Sequence, residues 1–316
     1  MKYFVVIFTL MSFLETFSQK KMNVIGIYRE SGSSGGGNVG GANFYILENN
    51  NFVIIAYATI IYGKWEINEK NVLTLYPINP PSFKIYGRYN PNIKSGAKIM
   101  FQNFESGETF IQINNEAIFT PIFNENPNCL SYPSIANFSQ KIESISLGVN
   151  LSYKDTTKET YKFQVKDNAN DYIAIYHSSR DTYQPFVFQV TTEGLIPNRG
   201  KPMKKKTLNR MEEEEKNYVL EIQESINVNR NYLYVNHLYN IFDKYDAEVE
   251  KQYLFDKNKN AYCHKLYYRP NEENEKLQDA YNRDAFLYRY SELIVDEKAK
   301  KQLEIALKPL FQVTCD

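Results

Sequence analysis

The chain has 316 residues and a mass of 37.0 kDa, enough for one to three cores at the roughly 100 to 200 residues a domain usually holds. Hydrophobic residues make up 43% and aromatics 15%, too much buriable surface for a disordered or collagen-like chain. Because 37 Lys and Arg balance 37 Asp and Glu, no global field draws nucleic acid, an anionic membrane or an acidic substrate.

The first segment reads as an address. Met1 and Lys2 give a positive end, Tyr3 to Leu14 is apolar apart from Thr9 and Ser12, and Thr16-Phe17-Ser18 offers small residues before a cut ahead of Gln19. Residues 1–18 are therefore expected to be a secretory signal peptide, with the mature protein secreted, periplasmic or at the cell surface. The run falls short of the roughly 20 apolar residues that cross a bilayer, and no later stretch approaches that length, so no integral membrane segment is expected in the mature chain. Three cysteines, Cys129, Cys263 and Cys315, cannot all pair within one molecule. One bridge with one buried thiol, three buried thiols, and intermolecular bonding all remain open.

From Val24 to about residue 200 the period is that of strands. Ile145, Leu147, Val149, Leu151 and Tyr153 alternate with polar or small residues, as do Tyr161, Phe163 and Val165; each segment predicts a half-buried strand. Similar runs at Val24–Arg29, Asn43–Glu48, Phe52–Ile61, Val72–Tyr76, Ser82–Tyr89, Lys98–Phe104, Glu108–Ile113, Ile118–Phe123, Tyr172–Tyr176 and Phe186–Thr191 are punctuated by turn clusters such as Asn49-Asn50-Asn51, Ser106-Gly107 and Asn114-Asn115. Many short strands with no intervening helical period predict an antiparallel barrel or sandwich. The Pro-rich stretch Pro121–Pro133 is expected to divide two β units.

Near Lys201 the composition changes. All 14 Gly lie at or before Gly200, while 41 of the 116 residues from Lys201 onward are charged, against 33 of the first 200. Lys201 to Lys206 followed by Glu212 to Glu215 reads as a solvated junction, with the glutamates at a helix N-terminus, and the run Gly194–Asn209 is expected to be open to protease. Beyond it, Tyr218, Ile222 and Ile226 predict one helix. Leu238, Phe242, Tyr245, Val249 and Tyr253 predict another, Leu277, Tyr281 and Tyr288 a third, and Ala299, Leu303, Ala306 and Leu310, capped by Asp296, a fourth. The expected order is mainly β with α: signal peptide 1–18, a β-rich domain 19–125, a second β unit 135–200 and a helical C-terminal region 205–316.

No constellation carries chemistry by its spacing. Gly35, Gly37 and Gly40 match G-x-G-x-x-G, but the following Asn43–Leu47 reads as a strand where the dinucleotide fingerprint needs a helix, so Ser31–Gly41 is expected to be a hairpin loop. Asp167-Asn168-Ala169-Asn170-Asp171 opens like a calcium loop, yet Ala169, Tyr172 and Ser178 stand where an oxygen ligand, Gly and Glu are required; a polar hairpin turn accounts for it. His177 lies beside Ser178, Ser179 and Asp181, and Cys263 beside His264, but neighbours on an extended chain point apart and catalytic groups converge from separate segments. No catalytic, cofactor-binding or metal residue is singled out, and no cofactor is implied.

Gly26-Ile27-Tyr28, Phe44-Tyr45-Ile46-Leu47 with Asn49-Asn50-Asn51-Phe52, Gly63-Lys64-Trp65-Glu66-Ile67 and Val72-Leu73-Thr74-Leu75 together resemble the N-terminal repeat of secreted lipocalin-like proteins of Bacteroidetes. The resemblance spans about 50 residues and implies a β-barrel or half-barrel with Trp65 packed at a barrel end; it carries over no ligand or site residue. The expected function is a non-enzymatic binding or surface-interaction protein with an unknown ligand or envelope partner and no nucleic acid. A secreted hydrolase is the alternative. Buried ionisable groups clustered in a deep pocket would favour the enzyme, and an open apolar barrel mouth the binder.

Overall fold

The computed structural model describes residues 22–29, 41–57, 59–150, 156–165, 168–178, 182–198, 201–227, 231–242, 246–267 and 284–314. The chain opens with β1 (Gly26–Arg29), β2 (Asn43–Ile46), β3 (Asn51–Ala56), β4 (Thr59–Ile67) and β5 (Val72–Pro77). It continues through β6 (Phe83–Arg88), β7 (Ala97–Gln102), β8 (Thr109–Ile113), β9 (Thr120–Pro121), β10 (Ser134–Phe138), β11 (Ser144–Val149), β12 (Lys158–Gln164) and β13 (Asp171–Tyr176). Then come β14 (Phe186–Val190), β15 (Gly194–Pro197), β16 (Met203–Lys206) and the helix α1 (Glu213–Asn227). The last part holds β17 (Tyr232–Val235), β18 (Ile241–Phe242), a short helix α2 (Asp246–Gln252), β19 (Tyr253–Asp256), β20 (Ala261–His264), β21 (Phe286–Glu292) and β22 (Val295–Lys301).

These elements form two compact units. Unit 1 takes the described residues up to Asn79 and those from Tyr183 to Asn227. Unit 2 takes those from Pro80 to Thr182 and from Asn231 onward. Unit 1 is a closed antiparallel barrel in the order β1-β2-β3-β4-β5-β14-β15-β16, with β16 returning to β1. The period-2 alternation of its strands separates two faces. Tyr28, Phe44, Ile46, Phe52, Leu73 and Leu75 belong to the interior cluster, whereas Ile27, Tyr45 and Val53 face outward and are covered by Val219 and Ile222 of α1. Eight strands make a barrel just wide enough for side chains to fill.

Local chemistry explains the strand ends. Asn49 and Asn50 sit at φ 58° and 59°, and Asn114 and Asn115 at 52° and 57°, the left-handed region that Asn tolerates better than most residues; both predicted Asn turns are therefore real. Gly63 answers a close approach, because a Cβ there would stand 2.0 Å from the Tyr76 carbonyl oxygen and 2.9 Å from the Phe52 ring. Trp65 is half-buried against the interior cluster, and its indole Nε1 donates to the Leu47 carbonyl at 2.9 Å. Where the chain leaves and re-enters the barrel, Asn79 and Tyr183 clasp reciprocally: Asn79 Nδ2 donates to the Tyr183 carbonyl (3.0 Å) and the Tyr183 N–H to Asn79 Oδ1 (2.9 Å).

Unit 2 is a sandwich. One sheet runs β10-β7-β13-β6-β21-β17-β18, with β19 and β20 attached through β21, and the other runs β22-β12-β11-β8-β9. Phe83, Ile99, Ile111, Leu147, Phe163 and Tyr172, drawn from both sheets, share one core cluster. The larger sheet is buried on its second face too, where Tyr86, Met100, Ile173 and Ile175 meet Val235 and Tyr290. Every residue of β13 is accordingly buried, as expected of a strand covered on both faces.

Several expectations are corrected. The described residues of 205–316 do not form a helical region: α1 and α2 are helices, but Phe242 lies in β18, Tyr253 in β19, Tyr288 in β21 and Ala299 in β22. Leu277 and Tyr281 fall outside the described residues, as does the segment 1–18. Phe52–Ile61 is a hairpin rather than one strand, turning after Ala56 without Gly, Pro or Asn. Gly194–Asn209 is no junction, because it holds the barrel strands β15 and β16. The glutamates do begin α1, and Tyr45 Oη donates to Glu215 Oε1 at 2.5 Å. Instead of the contiguous divisions 19–125, 135–200 and 205–316, the barrel is interrupted after β5 by part of unit 2 and completed afterwards. Pro121–Pro133 lies inside unit 2. Cys129 is disulfide-bonded and Cys263 is a buried free thiol; Cys315 lies outside the described residues.

Candidate functional site

Among the described residues, those that attracted attention in the sequence form no catalytic or metal cluster. His177 follows β13, and its backbone N–H donates to the Ser82 carbonyl at 2.8 Å; Ser179 and Asp181 lie outside the described residues, as do Asp167 and most of Ser31–Gly41. Cys263 and His264 share β20 but face apart: the thiol is fully buried and pushed up to about 11 by burial, while His264 packs against the rings of Tyr253 and Tyr267. Among the described residues no group of three His, Cys, Asp or Glu side chains could hold a metal ion. No helix there is long and apolar enough to cross a membrane.

The stretch Asn168–Asp171 has a different role from the expected hairpin turn, since β12 and β13 belong to different sheets. Register sets Asp171 opposite Arg88 on β6 and opposite Lys98 on β7. Its carboxylate is fully buried, and Oδ2 accepts from Arg88 Nε (3.1 Å) and Asn90 Nδ2 (2.8 Å), with Arg88 Nη2 at 2.9 Å and Lys98 Nζ at 3.8 Å. Oδ1 accepts from Tyr239 Oη at 3.3 Å. The Arg88 guanidinium stacks 4.1 Å from the Tyr288 ring centre; burial opposes its charge, but Tyr290 and Asp171 outweigh this and hold it above its ordinary range. Burial first, and Asp171 second, keep the Tyr290 hydroxyl protonated. Ionisable groups are thus clustered and buried, yet they satisfy one another, as a structural network must.

Beside this network a cleft of about 330 Å³ opens in unit 2. Gly87, Arg88 and Tyr89 come from the end of β6, and Arg289, Ser291 and Glu292 from β21. Pairing of Ser291 with Gly87 joins the two strand ends. Phe255 and Asn260 come from the β19–β20 hairpin, whose Asn260 Nδ2 donates to the Tyr89 carbonyl at 3.1 Å, and Gln164 and Asn168 come from the end of β12 and the segment beyond it. Two aromatic rings in the lining are unusually open, Tyr89 at 53% and Phe255 at 50% exposure. Among the described lining residues the one carboxylate, Glu292, meets Lys84 Nζ at 3.4 Å.

This cleft is not legible in the sequence. Its residues, from Gly87 to Ile294, lie on segments far apart in the chain, and each alone reads as an ordinary strand end or turn. No protein-family model, curated protein or solved structure matches the chain.

Proposed function

We propose that the protein is a secreted, non-enzymatic binding protein and that the cleft of unit 2 is its saccharide site. The observation that carries this reading is the pairing of open ring faces, Tyr89 and Phe255, with the amides of Asn168, Asn260 and Gln164 and the hydroxyl of Ser291 in one concavity. Saccharides present apolar C–H faces that lie on aromatic rings, together with hydroxyls that pair with amides, which both donate and accept. Hydrolysis would ask for two working carboxylates or a nucleophile with its base, and the described lining offers Glu292, engaged by Lys84.

The resemblance of the barrel's first five strands to lipocalin-like proteins is carried here as a proposed kinship of fold. In unit 1 the described interior is occupied by side chains such as Phe52, Leu73 and Leu75, which favours the cleft of unit 2 as the ligand site. Export rests on the Lys2, apolar and Thr16-Phe17-Ser18 pattern, and the exported protein should begin at or near Gln19 on N-terminal sequencing; Met1 on a cytosolic protein would end that part of the proposal.

A thermal-shift screen of the full chain against neutral and acidic oligosaccharides tests the binding function. A true ligand at a hundredfold excess over its Kd adds about 2.7 kcal/mol. The rise should vanish in a Tyr89→Ala, Phe255→Ala double variant whose unliganded melt stays near that of the wild type, since both rings are half exposed. No rise across the panel would sink the reading, and a rise that survives the double variant would place the site elsewhere.

A further inference from the structure

The charges around the cleft are unequally answered. Arg88 is met by Asp171, and Glu292 by Lys84. Arg289 is exposed and has no acidic partner among the described residues. Its surroundings are tyrosines: the guanidinium carbon lies 4.5 Å from the Tyr232 ring centre and 5.7 Å from that of Tyr262. Burial opposes its charge, but Tyr262 and Tyr234 more than offset this, the latter through a hydrogen bond, and Arg289 stays above its ordinary range. Register explains the arrangement, because Tyr234 on β17 pairs with Arg289 on β21. Stacking orients a guanidinium while leaving its edge able to meet a planar carboxylate through two parallel hydrogen bonds.

We infer that the saccharide taken by this cleft is an acidic one, its carboxylate held by Arg289 while its sugar rings lie against Phe255 and Tyr89. The inference rests on the saccharide reading above. It also explains the pairing of Glu292 with Lys84, which limits repulsion of an anionic ligand by the one carboxylate of the described lining. A neutral glycan would not add the counter-charge that the described residues fail to give Arg289, whereas a uronic or sialic acid supplies it.

Isothermal titration of the full-length protein decides it. The probes are an oligogalacturonate and its neutral methyl ester, a hyaluronan tetrasaccharide, and sialyllactose beside lactose. At least one carboxylated probe should bind ten times or more tighter than its neutral counterpart or, for hyaluronan, than the neutral probes, and its affinity should fall as salt is raised. Arg289→Gln should reduce that affinity about tenfold and leave any neutral-sugar binding unchanged. Neutral probes binding as well as acidic ones, or acid binding indifferent to Arg289→Gln, would overturn the acidic ligand and leave the saccharide site standing. If neither set binds, both readings fall together. Should Arg289→Gln disturb the fold, Arg289→Lys keeps the charge but loses the bidentate geometry, and it should retain the salt dependence with weaker binding; unchanged affinity would overturn the assigned carboxylate contact.

Discussion

The barrel of unit 1 and the sandwich of unit 2 are both β-rich, but they meet the problem of open sheet edges differently. The barrel closes on itself, so every strand has two hydrogen-bonded neighbours, and its interior cluster is apolar. The sandwich keeps edges. It ends one sheet on the charged strand β22, Val295–Lys301, most of whose residues are exposed, and it holds a buried polar network at Asp171 and an open cleft at the ends of β6 and β21. Closure favours stability, while open strand ends leave room for side chains from distant segments to converge.

That contrast is open to direct attack. The largest effect is expected from Asp171→Ala. Removing the carboxylate leaves Arg88 buried without its counter-charge, at a cost of about 3–5 kcal/mol. Hydrogen exchange followed by mass spectrometry should show protection lost in β6, β7 and β13 and kept in β1 to β5. Equal loss throughout would mean that the two units do not differ in what holds them.

The reciprocal test is Gly63→Ala, where the new methyl meets the Tyr76 carbonyl. A cost of about 3 kcal/mol, the upper part of the range for overpacking, should fall on β3, β4 and β5. Exchange rates there matching the wild type would show that the barrel relaxes around the change and is less tightly closed than its geometry says.

A smaller, pH-dependent effect belongs to Glu159 in unit 2. It accepts from Tyr161 Oη at 2.7 Å and pairs with Lys298 at 2.9 Å. Burial opposes its charge, but these partners prevail and its carboxyl titrates below the ordinary carboxylate range. A depressed acid stabilises the fold above its unfolded pKa, and that contribution is lost as pH falls through the folded one. Urea melts from pH 7 downward should therefore show a loss below about pH 4.5 that Glu159→Gln diminishes. An unchanged acid limb in the variant would remove Glu159 from the account.

Legibility followed solvent exposure. Strands with one wet and one dry face, such as β12, announced themselves by alternation, and the Asn turns by their tolerance of positive φ. β22 did not: an exposed edge strand needs no apolar face, so its charges hid the two-residue period, and Ala299, Leu303, Ala306 and Leu310 mimicked a helix. The hairpin between β3 and β4 was hidden for another reason, because Tyr57 marks its turn with none of the usual punctuating residues. The cleft was the least legible. Arg289 could be seen as one arginine among many, and only the folded chain shows which arginines carboxylates answer.

By itself the sequence determined the local preferences: the β period through most of the chain, the left-handed Asn turns, and an acidic helix start at Glu213. These depend on each residue's own backbone and on its immediate neighbours. Only the tertiary structure decided that β5 and β14 adjoin across an intervening stretch of more than a hundred residues, that Asp171 falls between Arg88 and Lys98, and that Arg289 opens into a cleft beside Phe255. Strand pairing is made by backbone groups that all residues except proline share. Partners and register are therefore chosen by the packing of whole faces, which no local segment contains.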